Sequence, residues 1–155
     1  MTAGDICTRN VVVTRKEESI VDAAKRMRMF HVGDLVVIER VGERRRPISI
    51  LTDRDIVLSV VASNPGYANC CVVADVMTTD VITVRETEDL MEVLKKMQAH
   101  GVRRVPVVDD EGSLVGIVAF DDVARSLADE MNADEMNALI GVLASEHVRE
   151  ERYRV

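Results

Sequence analysis

The sequence predicts an α+β fold: two tandem β-α-β-β-α repeats packed as a pseudo-twofold pair, followed by a long C-terminal helix. Three observations predict it. The chain contains the same unit twice. Asp5-Ile6-Cys7-Thr8 returns as Asp75-Val76-Met77-Thr78, and Ser49-Ile50-Leu51-Thr52-Asp53-Arg54-Asp55 returns as Gly116-Ile117-Val118-Ala119-Phe120-Asp121-Asp122. The offset is 70 positions up to Gly42/Gly112 and 67 afterwards, which puts a small insertion at residues 43–46. Each repeat alternates short apolar runs with stretches of helical spacing. After Asp122 the apolar residues recur mostly at steps of three and four. A duplication of this size reads as two supersecondary units sharing a core.

The elements follow in order. A short apolar strand opens each repeat, at residues 11–14 and 81–84. A helix follows, started by Ser19 with Asp22 three residues on, and by Asp89 with Glu92, both capping-box-like. Ile20, Ala23, Ala24 and Met27 fall on one face of the first helix, and Leu90, Val93, Leu94 and Met97 on one face of the second. Buried strands Leu35-Val36-Val37-Ile38 and Val105-Pro106-Val107-Val108 come next. A turn at Gly42, or at Asp109-Asp110-Glu111-Gly112, leads to a second strand at residues 48–51 or 114–118, and a second helix begins near Asp53 or Asp121. Arg44-Arg45-Arg46 fall in the insertion and read as a solvated turn. Ser63-Asn64-Pro65-Gly66 is the most loop-like segment and the natural linker. The expected boundaries are 5–63 for the first repeat, 64–74 for the linker, 75–130 for the second repeat and 131–155 for a helical tail.

In that tail Val123, Leu127, Met131, Met136, Leu139, Ile140 and Leu143 form an apolar stripe. Ala128-Asp129-Glu130-Met131-Asn132 is repeated at once as Ala133-Asp134-Glu135-Met136-Asn137. The spacing predicts one helix running to about Arg152, bent near Asn132. It either folds back over its own core or serves a homodimer contact.

Composition narrows the function. With 155 residues, 47% hydrophobic and 30% charged, the chain is one ordinary soluble domain in size. A net charge of −7 argues against nucleic-acid binding, which needs a basic footprint. No apolar run of about 20 residues is present, so no membrane span is expected. Neither is a secretory signal visible at Met1-Thr2-Ala3-Gly4-Asp5. Cys7, Cys70 and Cys71 are a poor disulfide set and suit a reducing, cytoplasmic setting. His31, His100 and His147 have no metal-ligand spacing with Cys, Asp or Glu, so no metal is expected. No nucleophile–base set, P-loop or dinucleotide glycine fingerprint marks an enzyme, and no catalytic residue is assigned.

Thr52-Asp53-Arg54-Asp55 stands where a strand ends and a helix begins. Free N–H groups and the positive dipole end there suit phosphate. Thr52 has a hydroxyl to donate, and Asp55 can accept from both hydroxyls of a ribose. The same string is also a plain capping box.

The duplicated unit, with the strings Asp75-Val76-Met77-Thr78 and Val81-Ile82-Thr83-Val84, His100-Gly101-Val102-Arg103-Arg104-Val105-Pro106-Val107-Val108-Asp109, and Ile50-Leu51-Thr52-Asp53-Arg54-Asp55-Ile56, resembles a pair of CBS domains, a Bateman module, over about residues 5–130. The resemblance implies sensing of an adenosyl ligand (AMP, ADP, ATP, NAD or S-adenosylmethionine) in clefts between the repeats, and homodimers in which two modules pack together. It implies that Thr52, Asp53, Arg54 and Asp55 form a ribose–phosphate motif. It places Ala119 and Asp122 at the equivalent positions, so the second repeat lacks the hydroxyl. Arg103-Arg104 then lie on the segment facing the phosphates, where the first repeat has Gly33-Asp34. Thr8 with Val13, and Thr78 with Thr83, fall where the first strand lines an adenine pocket. The expected function is a regulatory adenosyl-nucleotide module that reports energy or redox state to a protein target on another chain. The competing reading is a ligand-free structural or oligomerisation module.

Overall fold

The computed structural model describes residues 1–127, 132, 134, 136, 137, 140 and 141. In chain order the elements are α1 (Ala3–Ile6), β1 (Val13–Thr14), α2 (Ile20–Phe30), β2 (Asp34–Val41), β3 (Arg44–Thr52), α3 (Asp53–Ile56), β4 (Val84–Arg85), α4 (Leu90–His100), β5 (Arg104–Val108), β6 (Leu114–Ala119) and α5 (Phe120–Leu127). The mixed α+β class is as expected. The chain forms two compact units. A first-repeat unit holds Asn10–Val81 with Gly112–Leu114. A second-repeat unit holds Met1–Arg9, Ile82–Glu111 and the chain from Val115 onward.

Each unit has a three-stranded sheet, in the order β1-β2-β3 or β4-β5-β6. The opening strand runs parallel to its neighbour, with Val13 opposite Val36 in one unit and Val84 opposite Val107 in the other. These strands start two or three residues later than the sequence suggests, since only two residues of each meet the sheet. One helix packs against each sheet through its apolar stripe. Ile20, Ala23 and Met27 are buried with Leu35, Val37 and Leu51, and Leu90, Val93, Leu94 and Met97 with Val105, Val107 and Val118. Burying a side chain of this kind contributes about 1.5–3 kcal/mol.

Local chemistry sets the helix ends. Ser19 Oγ accepts from Asp22 N at 3.0 Å, and Asp89 Oδ1 from Met91 N at 2.9 Å. Each helix ends in a left-handed residue, Gly101 at φ 59° and His31 at φ 53°. Glycine takes that conformation without cost, whereas histidine does not.

Arg44, Arg45 and Arg46 are not a turn. They lie in β3, opposite Val41, Arg40 and Glu39. The insertion lengthens the hairpin because the strands keep pairing up to a two-residue connection at Gly42-Glu43, where Gly42 supplies φ 63°. The register slips between Val37 and Ile38, with Ser49 and then Pro47 as partners. A bulge is where a proline without an N–H is tolerated in a strand.

The unit boundaries show what the linear repeat hides. The opening segment of each repeat adds to the body of the other repeat. Ala3 N donates to Glu88 O at 2.8 Å and Gly4 N to Glu86 O at 2.8 Å. In the first-repeat unit, Val73 N donates to Glu18 O at 2.9 Å and Ala74 N to Lys16 O at 2.9 Å. The same cap closes both segments. Asp5 Oδ2 accepts from Thr2 N at 2.8 Å, and Asp75 Oδ2 from Val72 N at 2.9 Å. Hydrogen bonds to the charged form hold the Asp5 carboxyl below its ordinary value. The linker is not bare loop: Pro65–Asn69 and Val73–Asp75 are 3-10 turns.

The bend expected near Asn132 falls on a described residue. Asn132 lies outside helical geometry. Its side chain accepts from Asp134 N at 3.0 Å, and its carbonyl from Met136 N at 3.0 Å. Asn favours such local bonds because its side chain competes for backbone hydrogen bonds. Met136 and Ile140 are exposed, whereas Gly141 lies so close to Gln98 of α4 that a Cβ would collide with it. Met131, Leu139, Leu143 and the run to Arg152 lie outside the described residues. Among the described residues no helix is long and apolar enough to cross a membrane.

Candidate functional site

The candidate residues divide between the two units. Val13, Gly33, Asp34, Thr52, Asp53, Arg54, Asp55 and Thr78 fall in the first-repeat unit. Thr8, Thr83, Arg103, Arg104, Ala119 and Asp122 fall in the second.

In the first-repeat unit, β2 and β3 bring Asp34 opposite Thr52. Asp53 N donates to Gly33 O at 2.9 Å, which ties the start of α3 to the start of β2. Glycine suits position 33 because a Cβ there would stand 3.3 Å from Asp53 Oδ2. Thr52 and Asp55 form a complete capping box. Asp55 Oδ2 accepts from Thr52 N at 2.9 Å and from Thr52 Oγ1 at 2.7 Å, and Thr52 Oγ1 accepts from Asp55 N at 3.1 Å. Both bonds to the Asp55 carboxylate fall on Oδ2. Beyond Ile56 the backbone widens into a π-helical turn over Val57–Val61. Val13 presents its carbonyl to Arg26 Nη1 at 2.5 Å, and Arg26 is held by Glu18 at 3.0 Å. Thr78 is exposed.

The second-repeat unit repeats the frame with other chemistry. Phe120 N donates to Arg103 O at 2.8 Å, the counterpart of the Asp53–Gly33 bond. Arg103 Nη2 donates to Asp121 Oδ1 at 2.9 Å, and its guanidinium lies 5.4 Å from the centroid of the Phe120 ring. A cation over an aromatic face is attracted by the ring quadrupole. Arg104 is exposed at the start of β5. Ala119 closes β6 with no hydroxyl. Asp122 stands at the Asp55 position and pairs loosely with Arg125 at 3.9 Å. Thr83 is half-buried just before β4.

Thr8 and Val13 fall in different units, as do Thr78 and Thr83. The Thr8 backbone pairs with Ile117 of β6, through bonds of 2.9 and 3.0 Å. The reason is the exchange of opening segments between repeats. Gly116 makes the approach possible, since a Cβ there would lie 2.5 Å from Cys7 Sγ and 3.2 Å from Thr8 O. Burial pushes the Cys7 thiol up, and likewise the thiol of Cys71. Sequence reasoning also missed Phe120 and Asp121 as the groups that orient Arg103. The available signal was that both adjoin Asp122 at a helix start. Among the described residues no group of three His, Cys, Asp or Glu is placed to hold a metal ion.

Two units with the same element order and matching strand-to-helix junctions define the class as a duplicated α+β fold. The family model for the CBS domain matches residues 3–62 and again 73–129. The chain belongs to the CBS-domain family. It is 37% identical over 127 residues to the Methanopyrus kandleri protein MK0525, an alignment covering 81% of this chain and 62% of that protein. Its fold is similar to that of the CBS domain pair of protein MJ0100 in complex with 5′-methylthioadenosine and S-adenosyl-L-methionine. The TM-score is 0.70 and the identity 28%, covering 84% of this chain and 98% of that one. It is likewise similar to CBSX2 in complex with AMP, at TM-score 0.66 and 27% identity over 83% of this chain and 96% of that one.

Proposed function

We propose that this chain is a regulatory module that binds an adenosyl ligand of the AMP, ADP, ATP or NAD class and signals to a protein on another chain. The observation that carries the reading is the duplicated junction. A strand ends, a helix begins, and a carboxylate stands three residues in, as Asp55 and again as Asp122. Relatives of the same fold hold adenosine ligands, which supports the choice of ligand. Asp55 and Asp122 accept from the ribose hydroxyls. Thr52 meets phosphate in the first-repeat unit, where the expected free N–H groups of Asp53, Arg54 and Asp55 are instead engaged by Gly33, Asp53 and Thr52, and Arg103 with Arg104 meet it in the second. Thr8, Val13, Thr78 and Thr83 line the base, with Gly33, Asp34, Asp53, Arg54 and Ala119 completing the two frames. The module is non-catalytic and cytoplasmic, and works as a homodimer.

A melting panel of AMP, ADP, ATP, NAD and S-adenosylmethionine tests this reading. A ligand at 100 times its dissociation constant adds about 2.7 kcal/mol, a rise of several degrees for a chain of this size. No shift with any of them rejects the proposal.

One observation favours a second reading, a ligand-free structural module. The Thr52 hydroxyl and Asp55 already satisfy one another. An Asp55→Ala chain that loses stability and keeps its full ligand response supports that reading for the first-repeat junction.

A further inference from the structure

The lengthened β2–β3 hairpin sets Arg40 directly opposite Arg45, and both are exposed. Like charges directly opposite across an antiparallel pair repel. Arg46 is neutralised by Glu39 at 2.6 Å, which also meets Lys16 at 3.7 Å. Among the described residues neither Arg40 nor Arg45 has a carboxylate partner. The Arg45 guanidinium donates to the Leu114 carbonyl at 3.4 Å. Charge on an exposed hairpin also deters edge-to-edge pairing, but that role does not require two arginines face to face. The arrangement costs energy within the unit, and an anion outside it recovers that cost.

The chain carries the complementary charge. Between Arg125 and Arg149 there is no Lys or Arg, and the doubled string Ala-Asp-Glu-Met-Asn supplies Asp129, Glu130, Asp134 and Glu135. Both flanks of this string, α5 and Gly141, belong to the second-repeat unit, whereas the hairpin belongs to the first. Carboxylates match guanidinium groups in bidentate geometry. A twofold pair of chains satisfies both charge sets at once, because each hairpin meets the other copy's segment. Nucleic acid and anionic membrane fit less well, since a net charge of −7 repels polyanions at long range.

We infer that the Arg40/Arg45 face of the hairpin docks the acidic segment at residues 128–137 of a second copy. The test is sedimentation equilibrium on three full-length proteins: the parent, R40E/R45E and D129K/E130K/D134K/E135K. The first variant keeps the parent's cross-strand like-charge arrangement, so its hairpin pairing is perturbed no more than the parent's. Each variant alone dimerises about tenfold more weakly or worse. Mixed in equal amounts, the two variants restore the parent's dimer constant, because both docking pairs become attractive. The parent's own dimer weakens as salt rises, a measurement that does not depend on any variant folding. A monomeric parent at micromolar concentration, variants that dimerise like the parent, or a mixture that restores nothing overturns the inference. So does loss of binding to RNA or to anionic vesicles in R40E/R45E with dimerisation intact, which assigns the face to a polyanion.

Discussion

Asp55 holds two roles with separate readouts. As the third residue of a capping box it stabilises α3, and its replacement by alanine costs about 1 kcal/mol on chemical denaturation. As a ribose acceptor it contributes about 1.5–3 kcal/mol per hydrogen bond to binding, so Asp55→Ala weakens an adenosine ligand tenfold or more. A variant with the stability loss and unchanged affinity assigns Asp55 to capping alone. Gly116 gives a purely structural contrast. A methyl group there meets Cys7 Sγ and the Thr8 carbonyl, so Gly116→Ala destabilises by about 1–3 kcal/mol, read as a lower denaturation midpoint. Ser49 fills the equivalent place in the first repeat and is fully buried. The capping box was legible in the sequence because it depends on spacing alone. The Gly116–Thr8 approach was not, because it depends on which body Thr8 joins.

At the scale of elements, α2 and α4 are the same helix with different ends. Gly101 relaxes the end of α4, while His31 holds the end of α2 at φ 53°. His31→Gly therefore stabilises the chain by about 0.5–1 kcal/mol; an unchanged or lower melting point contradicts this. Before α4, Glu88 Oε2 accepts from Lys96 Nζ at 2.6 Å and its other oxygen from Arg85 N at 2.9 Å. Burial works to raise the Glu88 carboxyl, but these bonds and the nearby positive charge outweigh it and bring it below its ordinary value of 4.5. Because the folded value is the lower one, this stabilisation is complete above pH 4.5 and is lost as the pH falls through the folded value. Lys96 is 40% exposed, so solvent screening keeps the pair to about 1 kcal/mol or less. Lys96→Met flattens the acid limb of a stability–pH curve and leaves the slope near neutrality unchanged. Helix periodicity and capping residues announced α2 and α4 correctly. Arg44-Arg45-Arg46 misled, because a charged run beside a glycine looks like a turn until pairing with Glu39, Arg40 and Val41 is seen.

For the whole molecule, the duplication was visible in the recurring strings, and with it the α+β class and the paired junctions. Two features were hidden for one reason: they depend on contacts far apart in sequence. One is the exchange of opening segments, in which Ala3 and Gly4 bind Glu88 and Glu86. The other is the close approach of Gly141 to Gln98. The exchange couples the repeats covalently and predicts cooperative unfolding. Neither unit is then complete without a segment that precedes the other, and a single transition by fluorescence and circular dichroism is expected. The central claim is that the duplicated junctions serve an adenosyl ligand. Titration calorimetry of the full chain with AMP, ATP, NAD and S-adenosylmethionine tests it most directly. Binding of at least one in the micromolar range, about −8 kcal/mol at 1 μM, weakened by Asp55→Ala or Asp122→Ala, is the predicted result. No heat with any of the four, from a chain shown to be folded, contradicts it.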